Sequence, residues 1–345
     1  MNVVQIFMLF TSSRACFTLA GALAWIVVCP ATADAASLFK SPDLRVDVTL
    51  TSWLTEGKTR WNFYNQSALF GNPTSELDYK DVGTTVTELG GTVSFDKRSF
   101  RYFVRGQVGY GEVGGGRLVD DDYVSAAGAG AFGTTQVGAH RFSRTHSNLD
   151  GSHIWYLNAD FGGQIDVWRK RASVGAFLGY QHREEKLQAF GVTQVECTAP
   201  GNLCNAVGTV TGVNRLALTN KAIWDSLRLG VEGDVRPHAR FSLDGRFAFL
   251  VSRLNNKDIH HLRTDLKQDP SITMTGTGIG FNGEASASLL VYKQLFFDVG
   301  YRYWWQRVGS GDVIFHGTTG DSQALPLNEF KSIRQGVTFG LRYTF

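Results

Sequence analysis

Two short stretches carry side chains able to activate a water molecule. One is Asp120-Asp121-Asp122, inside the run Arg117 to Tyr123, and the other is Asp258-Ile259-His260. In an extended chain, residues two apart point the same way. Asp120 and Asp122 then approach each other, one holds its proton to a raised pKa, and the pair can bind and polarise a water. Asp258 beside His260 fixes the imidazole tautomer and raises its basicity, as a general base near neutral pH requires. Each pair also has a plainer reading. Three adjacent aspartates fit a solvated acidic loop or a calcium site, and His261 next to His260 fits a metal pair. Cys197 and Cys204 fit a loop-closing disulfide in an exported chain. Zinc would need two further ligands nearby, so no metal is expected there.

Bringing both pairs to one place requires long extended elements, and from Asp43 onward the dominant period is two. Val337, Phe339, Leu341, Tyr343 and Phe345 share one face, while Thr338, Gly340, Arg342 and Thr344 share the other. Ten such segments run over 43–63, 76–96, 98–115, 153–168, 171–190, 217–235, 239–256, 271–292, 294–310 and 330–345. Short turns near Asp96-Lys97, Arg169-Lys170, Arg236-Pro237-His238 and Tyr292-Lys293 alternate with long loops over 64–75, 116–152, 191–216, 257–270 and 311–329. That layout predicts an all-β fold, a ten-stranded antiparallel transmembrane outer-membrane β-barrel with long extracellular loops. A secreted β-sandwich also alternates, but its strands run to only about five or six residues. Tyr301, Tyr303, Trp304 and Trp305 form the expected interfacial girdle. So few strands leave a lumen that side chains such as Arg101, Arg105, Asp160, Asp166 and Arg246 would fill, which argues against a channel. Both candidate pairs then lie on the same rim.

The first 35 residues read as a secretory signal: Arg14, an apolar run from Ala15 to Cys29, then Ala33-Asp34-Ala35. A single barrel domain over 36–345 is expected after cleavage. The 345-residue chain carries 34 Lys+Arg against 31 Asp+Glu, too even a balance to attract nucleic acid. Its mean hydropathy of −0.12, with no second long apolar run, excludes a multi-helix membrane protein. No P-loop, dinucleotide fingerprint or nucleophile elbow occurs in a strand-to-helix context, so no cofactor is expected from motifs.

With these elements placed, the mature chain resembles the omptin family of outer-membrane endopeptidases. The resemblance rests on Gly57-Lys58-Thr59, on Ser75-Glu76-Leu77-Asp78-Tyr79-Lys80, and on the closing Gly340-Leu341-Arg342-Tyr343-Thr344-Phe345. It rests above all on Asp120 and Asp122 after a Gly-rich stretch and on the Asp258/His260 dyad. It implies that His260, oriented by Asp258, activates water for attack on a peptide carbonyl, while Asp120 and Asp122 hold the water. His146 is similar to a further loop histidine of the family. Extracellular proteins or peptides are the implied substrates, in the outer membrane of a Gram-negative bacterium.

Two departures matter. The acidic residues with which omptins select basic side chains align with Trp61 and Asn256, which implies a primary specificity for a neutral or aromatic residue unless Glu56 or Asp121 substitutes. The family's lipopolysaccharide pattern, Tyr-x-Glu-x-Arg, reads here Tyr180-x-His182-x-Glu184 with Arg183 one place off. Tyr180 and Arg183 are therefore the implied outer-membrane lipid contacts, with Lys221 as a further cation and lipopolysaccharide dependence as an expectation; snorkelling at the headgroups is the competing reading. The alternative function is a non-catalytic barrel acting as an adhesin or binding surface.

Overall fold

Strict alternation of side chains along strands of up to 29 residues leaves this chain one way to bury its backbone polar groups in lipid, which is to pair every strand edge. A computed structural model describes residues 43–345 apart from 135–139, 169–170 and 202, so the signal segment 1–35 and the Arg169-Lys170 turn lie outside the described residues. The strands are β1 (Leu44–Phe63), β2 (Phe70–Lys97), β3 (Phe100–Val124), β4 (His140–Leu149), β5 (His153–Val167) and β6 (Ala172–Cys197). They continue as β7 (Val210–His238), β8 (Phe241–His260), β9 (Ile272–Tyr292), β10 (Leu295–Val308), β11 (Gly311–His316) and β12 (Ser322–Thr344). One short helix, α1 (Ala126–Phe132), follows β3. Each strand pairs antiparallel with its neighbours, and β1 pairs with β12 from Asp47↔Thr344 to Phe63↔Leu327, closing the sheet into a barrel.

β4 and β5 occupy one position in the ring, both bridging β3 and β6, and β11 shares the position of β10 between β9 and β12. The wall therefore has ten strands at the membrane, and the expected long loops are largely strand. β3 runs on to Val124, β6 to Cys197, and β7 begins at Val210, because Val192, Thr193, Val195, Val210 and Thr211 keep the pleated, β-branched character of the wall. Cys197 and Cys204 are joined by a disulfide at the end of β6. Outside, Val104, Phe161, Leu178, Leu229, Phe249 and Leu341 form an apolar belt, with Phe161 and Leu229 more than 60% exposed (61% and 64%), a surface suited to lipid and not to water. Trp304 does not join the girdle of Tyr301, Tyr303 and Trp305. Its even position in β10 turns it into the lumen, where it packs edge-on against Trp53 and Tyr156 at 4.8 Å.

The lumen is filled in tiers. Nearest the short turns, Arg228 pairs with Asp160 at 3.0 Å and Arg105 with Glu232 at 2.9 Å, while Arg101 pairs with Asp96 at 2.6 Å. Above them Arg302 joins Glu88 and Glu284, Tyr156 donates to Glu88, and the Arg302 guanidinium lies 4.8 Å from the Trp53 ring. Higher still, Glu185 takes hydrogen bonds from Arg334 and Thr59. An apolar core including Trp61, Trp224, Phe330, Leu187, Leu254 and Met274 fills the upper barrel.

Removing one partner of a buried ion pair leaves an uncompensated charge, whereas neutralising both is far cheaper. Arg302→Leu is therefore expected to destabilise the barrel by about 3–5 kcal/mol, and addition of Glu88→Gln to recover part of that loss. Urea unfolding in detergent, followed by tryptophan fluorescence, reads both.

Candidate active site

The site depends on a change of parity partway up two neighbouring strands. In the membrane belt, β3 turns its odd residues inward, among them Phe103, Gln107 and Val113. Between Lys80 and Thr84 of β2, and opposite them in β3, the register shifts twice. Gly115 and Gly116 take φ of 155° and 149°, and a Cβ on Gly116 would press on the Lys80 carbonyl at 3.0 Å. Asp81 bulges with φ 55°. Above this double bulge the even residues of β3 face inward, which a one-residue slip always produces. Asp120 and Asp122 consequently face the mouth of the barrel. Asp121 faces out, held by Arg144 at 2.6 and 2.7 Å.

β8 keeps its parity throughout, so Asn256, Asp258 and His260 all point inward, nearly across the ring from β3. The four residues thus stand above the apolar belt on facing walls. Ser75 donates to Asp120 Oδ1 at 3.3 Å, and Asn220 Nδ2 donates to Asp258 Oδ1 at 2.9 Å. Asp258 Oδ2 lies 4.0 Å from His260 Nε2, and neither atom has a hydrogen-bond partner among the described residues. The His260 backbone is fixed by its N–H to Ser271 Oγ at 2.9 Å and by Gln268 Nε2 to its carbonyl at 3.1 Å. Asp258 is fully buried while His260 keeps 18% of its side chain exposed, so the imidazole is the member of the dyad turned to the mouth.

Burial dominates the electrostatics. It pushes Asp258 up to about 7 against the Asn220 hydrogen bond, and pushes His260 down to about 4, with Arg263 adding to the effect. Asp122 rises to about 6 by burial, and Asp120 rises well above the carboxylate range by burial and then by the charge of Asp122. The charge of Asp258 on the facing wall adds to the rise of Asp120. Tyr79 shares the inward face of β2 with Ser75 and Leu77. It is fully buried, its hydroxyl has no partner among the described residues, and burial, followed by the charges of Asp258 and Asp120, raises its pKa well above the ordinary value. Tyr79, Ser75 and Asn220 were not marked by the pair motifs. Their signal was parity with Leu77 on the inward face of β2 and with Ala222 on that of β7.

Trp61 and Asn256 lie under the dyads as part of the apolar core. Trp61 stacks on Phe63 at 6.1 Å, and Asn256 Nδ2 lies 3.5 Å from Met274 Sδ. Glu56 is exposed on the outer wall, so neither it nor Asp121 brings an acid to this floor. His146 pairs with Val119 on the outward parity of β4 and does not join Asp120 and Asp122. On the outer wall Tyr180 donates to Asp225 at 2.5 Å, beside His182 at 2.8 Å from the same carboxylate, and Lys221 pairs with Glu184 at 2.9 Å. Arg183 is not a lipid contact. Three places from Tyr180, it takes the opposite parity and is fully buried in the lumen. Among the described residues no cluster of three potential metal ligands occurs.

A family model described as Protochlamydia outer membrane protein matches residues 55–345. Among solved structures the chain is similar to the outer membrane protease OmpT from Escherichia coli, with a TM-score of 0.66 and 17% identity, covering 89% of this chain and 98% of that one. A FadL homologue from Pseudomonas aeruginosa aligns over 90% of this chain and 92% of its own at 9% identity, with a TM-score of only 0.30. No curated protein matches. The OmpT likeness is one of fold, and with the apolar belt and the family match it assigns the barrel to the outer membrane of a Gram-negative bacterium.

The shifts carry a sign. A carboxyl raised in the folded state favours folding when protonated, so Asp258 and Asp122 lose stabilising effect as pH rises from about 4 to about 7. A histidine lowered to about 4 works the other way, its contribution growing with pH from about 4 to its ordinary value. Across pH 4–7 the urea midpoint of Asp258→Asn is expected to fall less steeply than that of the parent, and that of His260→Gln more steeply.

Proposed function

The chain belongs to the Protochlamydia outer membrane protein family, and on that premise we propose that it is a surface endopeptidase whose water is held between Asp120/Asp122 and His260. The observation that carries this reading is the pair of inward-facing dyads on facing walls above the membrane belt, close enough for Asp258 to add to the rise of Asp120. The fold shared with OmpT, a protease by its description, supports it.

His260 Nε2 is the ring nitrogen nearer Asp258, which leaves Nδ1 to take the proton of the water. The water attacks the peptide carbonyl while the neighbouring Asp258 carboxylate stabilises the imidazolium, and the imidazolium then returns the proton to the departing amine. Asp120 and Asp122 share a proton and orient the water from the other wall. The Tyr79 hydroxyl, buried and without a partner among the described residues, is a further donor on the inward face of β2. No covalent intermediate, metal or cofactor enters. Trp61 and Asn256 offer an incoming side chain an apolar, uncharged floor, so a neutral or aromatic residue is preferred to Lys or Arg. Extracellular proteins and peptides are the substrates, and Tyr180 with Lys221 supplies the outer-wall contact for lipopolysaccharide.

Refolded barrel with lipopolysaccharide is expected to cleave a diverse peptide library without a dibasic preference. Asp120→Ala and His260→Ala should each lower kcat/KM by about 10²–10⁴, and Asn256→Asp should raise the share of cuts beside Lys and Arg. Because Asp258 ionises only near pH 7, kcat/KM should climb through that value. Mass spectrometry of the digests checks all four. A folded parent that cuts nothing, with or without lipopolysaccharide, would leave a non-catalytic binding surface.

A further inference from the structure

The charged tiers of the lumen differ in their balance. In the lower network Arg105, Arg228, Arg246 and Arg302 meet Glu88, Asp160, Glu232 and Glu284, and every member has an ion-pair partner. In the upper tier two guanidinium groups, Arg183 and Arg334, meet one carboxylate, Glu185. Arg334 takes one oxygen of Glu185 and Thr59 takes the other at 2.8 Å, while Arg334 Nη1 reaches Thr84 at 3.0 Å. Arg183 is left over. It is fully buried, and Nε, Nη1 and Nη2 all lack a hydrogen-bond partner among the described residues.

A guanidinium does not shed its charge by deprotonating, so it must be compensated in place. The ring of Trp224, 5.7 Å from the guanidinium carbon, offsets only a fraction of a desolvated cation. A second unpartnered donor stands beside it. Trp224 is in register with Arg183, and its Nε1 is buried without a partner too. A cluster of buried N–H donors carrying one surplus positive charge matches a small anion in both charge and hydrogen-bonding sense.

We propose that the barrel binds one small monovalent anion of the halide class against Arg183 and Trp224, between the apolar upper core and the lower ion-pair network. The anion would complete the charge balance of the lumen and hold the Arg183 side chain under the floor of the mouth. This assignment stands apart from the peptidase reading, since none of the residues above touches the dyads.

The test uses the refolded full barrel in detergent. At constant ionic strength, replacing gluconate by chloride is expected to raise the urea midpoint along a saturable curve, and Arg183→Gln is expected to abolish that dependence. Crystals grown in bromide should show an anomalous peak beside Arg183. Equal midpoints in the two salts, a chloride dependence that persists in Arg183→Gln, or an anomalous map with bromide elsewhere and water alone at Arg183 would each overturn the proposal. The bromide experiment uses the parent chain, so it decides the matter even if the variant fails to fold.

Discussion

Lipid offers no hydrogen bonds, and that single constraint shapes this molecule from the belt inward. Each backbone N–H and C=O at membrane depth must find a partner in a neighbouring strand, so the sheet closes β1 onto β12. A ring of ten encloses a lumen too narrow to stay wet along its length, and the inward residues must satisfy one another. They do so by sorting, with ion pairs toward the short turns and a Trp, Phe and Leu core toward the mouth. The apolar upper core is therefore a consequence of closure, and it is also the floor on which the four candidate catalytic side chains rest.

Alternation alone would have defeated that site. The parity that turns Arg105 and Phe103 of β3 into the lumen would, carried upward unchanged, turn Asp121 inward and Asp120 and Asp122 out. The bulge at Asp81 and the paired glycines 115 and 116 reverse the parity between belt and rim. Two strands that obey the membrane below thus obey a different requirement above. Asp121, displaced to the outer wall, is not wasted there, since Arg144 and Arg141 tie β3 to β4 through it.

Much of this was legible in the residues. Period two over very long stretches identified the barrel and its ten wall positions, because a strand with one lipid face and one lumen face cannot hide its alternation. The i, i+2 spacing put Asp120 with Asp122 and Asp258 with His260 on one face each, a grouping that holds whichever face that is. What spacing could not tell was the face itself, which a single bulge inverts, and so Trp304 and Arg183 landed on the side opposite to expectation. Rim strands were read as loops because outside the membrane no apolar face advertises them. Tyr79 and Asn220 were silent for another reason: their importance comes from what stands on the neighbouring strand, and no local pattern records a partner that strand pairing brings from far along the chain.

The floor connects the chemistry of the site to its selectivity. An acid at position 61 or 256 would attract basic side chains, and it would also place negative charge beneath Asp258. With Trp61 and Asn256 there instead, the surroundings of Asp258 are uncharged and dry, and its pKa rises to about 7 through burial. A carboxylate restored at either position would add a like charge near Asp258 and hold its proton to still higher pH. Under the proposed endopeptidase reading, a change to the floor that restores a carboxylate would therefore shift selectivity and pH response together.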